Sequence, residues 1–191
     1  MIYTINLRQI AALQHLATTG NVRYYLNGVH VTIDGNVVTC EATDGAAMGR
    51  FTEDLPNAGD PLGISIIIPI DAVKRIKLRK ADDDHGMLIP LAANGVWAIT
   101  NAAGLSVQFD AIDGTFPDTD RVIPPDSKDK PTPANYDFDL LAKSGKLGKA
   151  MHLQHPGTFT IDQRGESGAA VTHSALPGFV GVVMPFRPGV R

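Results

Sequence analysis

The chain has a single cysteine, Cys40, in 191 residues. One cysteine excludes an internal disulfide framework and suits a reducing cytoplasm. Long apolar runs are also missing. The longest strongly apolar stretch, Ile64 to Ile70, falls far short of the roughly 20 residues that span a bilayer. The opening Met1-Ile2-Tyr3-Thr4 has no basic segment leading into an apolar run, so no signal peptide is read. Positive charge is not in excess: 17 basic against 20 acidic residues gives a formal net charge of −3. That balance argues against a general nucleic-acid binder unless the charge is unevenly placed. Catalytic motifs are absent too. There is no Gly-x-Ser-x-Gly and no phosphate loop. Asp82-Asp83-Asp84 lacks the spacing of a calcium loop. His152 and His155 form a His-x-x-His pair with no third ligand nearby, so no metal site is expected. The chain reads as a non-enzyme without a cofactor.

What is present is a hydrophobic fraction of 43%, enough for a real core. It is arranged in three similar segments, each opening with a short strand that runs into a helix. The first is Ile2–Ile5 with Leu7–Ala17, the second Ile64–Ile68 with Ile70–Lys80, and the third Tyr136–Phe138 with Leu140–Leu153. Gly145 and Gly148 lower helix propensity by about 1 kcal/mol each, which predicts a short or irregular third helix. Strands joined by tight turns follow. His30–Ile33 and Val37–Glu41 flank Asp34-Gly35, a strong hairpin signal because both turn positions favour positive φ. Met87–Leu91 and Val96–Thr100 flank Asn94-Gly95, and Leu105–Phe109 follows. Thr158–Ile161, Ala169–Thr172 and Phe179–Met184 complete the third segment. The fold class is therefore α+β, with three β-α-β-β-β repeats. Proline-rich connectors divide the chain into a complete unit over residues 1–124 (halves of about 1–58 and 59–124), a linker at 125–134 and a half-unit at 135–191.

Charge follows this organisation. Nine of the 17 basic residues fall on the three expected helices: Arg8; Lys74, Arg75, Lys77, Arg79 and Lys80; and Lys143, Lys146 and Lys149. Helices sharing one surface would make that surface basic on an acidic protein, and so attractive to a phosphate backbone without reading sequence. For any one helix the simpler account is that Lys and Arg are good helix formers on a solvated face.

Three stretches carry a resemblance. They are Val22-Arg23-Tyr24-Tyr25-Leu26-Asn27-Gly28 with Ala42-Thr43-Asp44-Gly45; Phe116-Pro117-Asp118 with Arg121-Val122-Ile123-Pro124; and Val182-Val183-Met184-Pro185-Phe186-Arg187. Together, in this order, they resemble the bacterial DNA polymerase III β sliding clamp family. The first two resemble its middle domain and the third resembles its last strand. The resemblance implies a DNA-clamp fold, with helices lining a hole and antiparallel sheets outside. It implies a non-catalytic, cytoplasmic processivity factor that surrounds duplex DNA and offers a pocket to short hydrophobic peptides of a polymerase or other replication protein.

The pocket residues implied are Leu26, Thr43, Gly45 and Met48; Pro117, Arg121 and Val122; and Val182, Val183, Met184, Pro185 and Phe186. The family's usual His-Arg pair after Asp44-Gly45 is replaced by Ala46-Ala47. Tyr24 and Tyr25 would lie near the hole's edge, where they either stack on single-stranded bases or begin a packed hairpin. By the same resemblance a ring holds twelve half-domains, so a chain with three calls for a homo-oligomer of four. The alternative is a non-encircling adaptor or decoy that binds a host clamp or clamp-binding peptides.

Overall fold

The computed structural model describes residues 2–56, 63–91, 95–125 and 132–186. Asn94, Arg187, the Pro188–Arg191 tail and most of the two expected connectors lie outside the described residues. The first segment comprises β1 (Tyr3–Asn6), α1 (Leu7–Leu13), β2 (Gly28–Asp34), β3 (Val37–Thr43) and β4 (Ala47–Asp54). The second comprises β5 (Ile64–Pro69), α2 (Ile70–Val73), β6 (His85–Pro90), β7 (Val96–Asn101) and β8 (Ser106–Asp110). The third comprises α3 (Phe138–Ala150), β9 (Thr160–Asp162), β10 (Ala169–Thr172) and β11 (Phe179–Val183).

Two antiparallel sheets hold these strands. One has four strands in the order β1-β6-β7-β8, and the other has seven in the order β5-β2-β3-β4-β11-β10-β9. The opening strands of the first two segments are therefore exchanged. β1 pairs with β6, with Asn6 opposite His85, and β5 pairs with β2, with Pro69 opposite Gly28. Gly28 permits the second pairing, since a Cβ there would lie 2.5 Å from the Ile68 carbonyl oxygen. β4 and β11 join the first segment to the third, from Phe179 opposite Phe51 to Val183 opposite Ala47.

Strand alternation sends Val29, Val31 and Ile33 of β2, and Val38, Cys40 and Ala42 of β3, into the core. The same core takes Leu7, Ile10 and Leu13, which share one face of α1. Asn6 caps α1, its side-chain oxygen accepting from the Gln9 amide at 3.1 Å.

All three helix expectations need correction. α1 ends at Leu13 rather than Ala17, and the chain closes in turns, with the Leu16 amide donating to the Leu13 carbonyl. α2 stops at Val73, so the helix expected through Lys80 is a single turn. Beyond it the apolar residues are Ile76 and Leu78, two apart. That spacing suits extended chain, and on a helix it would point them in nearly opposite directions. The Arg79 amide then turns onto Asp82 Oδ2 at 2.7 Å. α3, expected to be short, is the longest at 13 residues. Gly148 is there for packing: a Cβ would run into the backbone of Pro156. The strand expected at Tyr136–Phe138 does not form, and Phe138 is instead the first residue of α3. Among the described residues the third segment is thus α-β-β-β.

Candidate peptide cleft and basic surface

The β4–β11 joint places a cleft between segments far apart in sequence. Its lining includes Leu26, Thr43, Gly45, Met48, Pro117, Val122, Val182 and Met184, and it encloses about 610 Å³ including its open mouth. Met48 and Val182 are paired across the joint, which fixes the floor. Met184 and Val122 stand at the opening, 37% and 44% exposed. Leu26 enters from the far side, at the end of a 3-10 turn over Tyr24–Leu26.

The structure brings those eight expected residues together and leaves four outside. Val183 faces the main core, Arg121 lines a neighbouring cavity with Arg164 and Glu166, and Pro185 and Phe186 lie beyond the lining. It also adds Arg23, Ala46, Ala47, Asp118 and Thr119. Arg23 crosses the turn, where a Cβ on Gly45 would be 2.7 Å from its Nη2; Gly45 has φ +95°. A cation thus stands at the rim beside Ala46 and Ala47.

The turn under the cleft is held by Asp44. Its Oδ1 accepts from the amides of Ala46 and Ala47 at 2.8 Å each, and Lys143 of α3 donates to Oδ2. Burial pushes the Asp44 carboxyl up. The hydrogen bonds from Lys143, Ala47 and Ala46, with the Lys143 charge, outweigh burial and hold it below the usual carboxylate range.

A second cluster anchors the far wall. Glu41 of β3 is buried and accepts from His30 Nδ1 at 2.9 Å, from Arg50 Nε at 3.0 Å and from the Thr119 hydroxyl. Arg50 also donates to Thr119 and to Asp120. Phe116 stacks on His30 with centroids 4.7 Å apart. Here too burial raises the Glu41 carboxyl, and the bonds from His30, Thr119 and Arg50 bring it below its ordinary value. The residues that close the second segment are thereby tied to the sheet of the first. Sequence reading missed this cluster, because Glu41, Arg50 and Thr119 share no motif and meet only through strand pairing.

The basic residues separate into two groups. Lys74, Arg75, Lys77, Arg79, Lys80, Lys146 and Lys149 are exposed. Arg75 donates to the Asp71 and Gln108 carbonyls, and Arg79 pairs with Asp82. Arg8 is 5% exposed and ion-paired with Asp84, which removes it from any surface contact. Lys143 is committed to Asp44. The expectation that all nine share one accessible face is corrected for these two. Tyr24 is exposed and packs edge-on against the half-buried Tyr25. Among the described residues no group of three or more His, Cys, Asp or Glu converges on a metal position. Among the described residues, too, no helix is long and apolar enough to cross a membrane.

This architecture, antiparallel sheets with exchanged opening strands and an apolar cleft at the joint, is that of a DNA clamp. The model of the DNA polymerase III beta subunit central domain matches residues 5–118. The chain belongs to that family, the bacterial β sliding clamps. It is 28% identical to the beta sliding clamp of Escherichia coli K12 over 117 residues, 61% of this chain and 31% of that one. The solved sliding clamp of Bacillus subtilis superposes with a TM-score of 0.74 at 14% identity, over 98% of this chain and 64% of that one. A Pseudomonas aeruginosa clamp bound to griselimycin superposes with a TM-score of 0.64 at 15% identity, over 98% of this chain and 65% of that one. The chain therefore spans about a third of the curated relatives it matches.

Proposed function

We propose that this chain is a shortened, non-catalytic sliding-clamp component that captures short hydrophobic peptides of replication proteins in the β4–β11 cleft. It contacts duplex DNA through its exposed basic residues, without sequence preference. Acting as a clamp, it raises a bound polymerase's local concentration at DNA. In this reading residues 1–124 serve as a complete clamp unit and 135–191 as a half-unit. Enclosing DNA takes several copies, four by the count of half-units.

The cleft carries the reading. It is apolar at its floor, has adaptable methionines at floor and mouth, and is complete within one chain. Met184→Asp should weaken a fluorescent Leu/Phe-anchored peptide about tenfold or more without lowering the melting temperature. Griselimycin is a second probe of the same variant. Unchanged peptide affinity would sink the cleft assignment.

For DNA, the triple reversal Lys74→Glu, Arg75→Glu and Arg79→Glu should flatten the log affinity versus log salt slope by roughly 2 to 3. An unaltered slope would count against the basic surface. Retention on nicked circular but not linear DNA separates a ring from a bound adaptor. The second reading, a non-encircling adaptor or decoy that binds a host clamp or clamp-binding peptides, is favoured by the ion pairs that withdraw Arg8 and Lys143 from the basic surface. Peptide binding without retention on circles would select it.

A further inference from the structure

In the first two segments, the strand leading into each helix leaves its own segment and completes the other's sheet. β1 leads into α1 and pairs with β6; β5 leads into α2 and pairs with β2. Alternate residues on each approach are driven into the core. Tyr3, Ile5 and Leu7 are 4%, 0% and 0% exposed, and Ile66, Ile68 and Ile70 are 9%, 0% and 4% exposed. Leu7 and Ile70 are the first residues of their helices.

In the third segment the same places are held by Ala134, Tyr136 and Phe138, Phe138 being the first residue of α3. Ala134 and Tyr136 are half-buried, and Phe138 is 84% exposed. The Tyr136 hydroxyl is buried with no hydrogen-bond partner. The apolar rhythm is intact, yet only Tyr136 packs against the main core, and Phe138 is left in solvent.

The acceptor is also present. β9 holds the place of β2 and β6 as the first strand after its helix, and it is the last strand of the seven-stranded sheet. Thr132 meets Arg164 in one parallel bridge just past its end, so Thr160–Asp162 keep an open edge among the described residues. The chain's own approach segment does not fill that edge. It crosses the end of the sheet, where the Phe186 amide donates to the Asn135 carbonyl at 2.7 Å beyond β11.

We propose that two copies of this chain pair reciprocally through their third segments. Ala134–Phe138 of each copy lies antiparallel along β9 of the other, and Phe138 is buried under the partner's sheet. A second copy is the fitting occupant because donor and acceptor both sit on this one segment. A two-fold exchange therefore satisfies both at once and leaves neither edge open. The inference deepens the assembly part of the reading above and does not depend on the cleft. In both observed exchanges the residue before the helix faces the first residue of the acceptor strand. The same register sets Asp137 opposite the partner's Thr160, and Asn135 opposite the partner's Asp162.

Light scattering on the full chain tests the pairing. The wild type should show the mass of two chains or a multiple of two. Phe138→Asp should raise the pairing dissociation constant about 100-fold or more, since two aromatic rings leave the interface. Circular dichroism should show an unchanged fold, as Phe138 is exposed in the single chain. Amides of Thr160–Asp162 that point away from β10 should be protected from exchange in the wild type and exposed in the variant. The double variant Asn135→Cys with Asp162→Cys should give a covalent dimer on oxidation, Cys40 being buried and out of competition. A monomeric wild type at about 100 μM, a Phe138→Asp protein of unchanged mass, or no cross-link would each overturn the pairing. Peptide binding by Phe138→Asp should match the wild type, which keeps failure here distinct from failure of the cleft.

Discussion

Glu41→Gln tests the cluster that fastens the closing residues of the second segment to the sheet. The substitution keeps the size of the side chain and removes its charge. Three donors, His30, Arg50 and Thr119, then face a neutral amide. Hydrogen bonds to a charged acceptor contribute about 1.5–3 kcal/mol each in buried settings. Arg50 keeps a second acceptor in Asp120, which is 78% exposed and screened. The net loss should therefore be about 2–3 kcal/mol, or roughly 5–10 °C in melting temperature for a chain of this size.

The loss should depend on pH with a definite sign. The Glu41 carboxyl lies lower in the folded chain than in the unfolded one. Its contribution is therefore fully present above the unfolded value of about 4.3 and is lost as pH falls through the lower folded value. Thermal melts of the two proteins should differ by the same amount from pH 7 to about pH 5, and the gap should narrow below about pH 4. A difference under about 0.5 kcal/mol at pH 7, or one that persists unchanged in acid, would refute the reasoning.

The two glycines of α3 should respond in opposite directions. Gly145 has open space around its missing Cβ, so Gly145→Ala should stabilise by about 1 kcal/mol. Gly148→Ala should destabilise by about 1–3 kcal/mol, because the new methyl meets Pro156 backbone that cannot yield as a side chain does. Chemical denaturation of both variants checks the pair, and equal shifts would contradict the packing. Arg8→Met should cost about 1.5–3 kcal/mol through Asp84 while leaving the salt dependence of DNA binding unchanged; a flattened slope would restore Arg8 to the DNA surface.

Much of the sheet architecture is written in short-range pattern. Asp34-Gly35 announces the β2–β3 hairpin, and Gly35 does take a positive φ of 58°. Alternation in Val29, Val31 and Ile33 marks one buried face. No strand is read from the sequence at β4, because Ala47, Met48, Gly49 and Phe51 are buried without strict alternation. That is the mark of a strand covered on both faces. The exchange of β1 and β5 leaves no trace in periodicity, since a strand carries the same pattern whichever sheet receives it. The second helix failed for a local reason, the two-residue spacing of Ile76 and Leu78. The third was misjudged because propensity treats Gly148 as a cost, whereas the fold uses its bare Cα as a contact surface. Seven cleft residues lie in the three quoted motifs and Met48 follows three positions after one of them; Arg23, Asp118 and Thr119 lie inside or beside the same motifs but point to the cleft only once the turns are built.

The exchanged strands also set an order of events during synthesis. β1 has no partner in its own segment, and its pairing residues, His85 to Leu88, emerge more than seventy positions later. Until then Tyr3, Ile5 and Leu7 have no sheet to enter, and β2, paired with β3 on one edge, lacks β5 on the other. A nascent chain halted near residue 58 should thus remain unstructured and sensitive to protease. Folding of the first two segments should come as one late, cooperative step dominated by distant contacts.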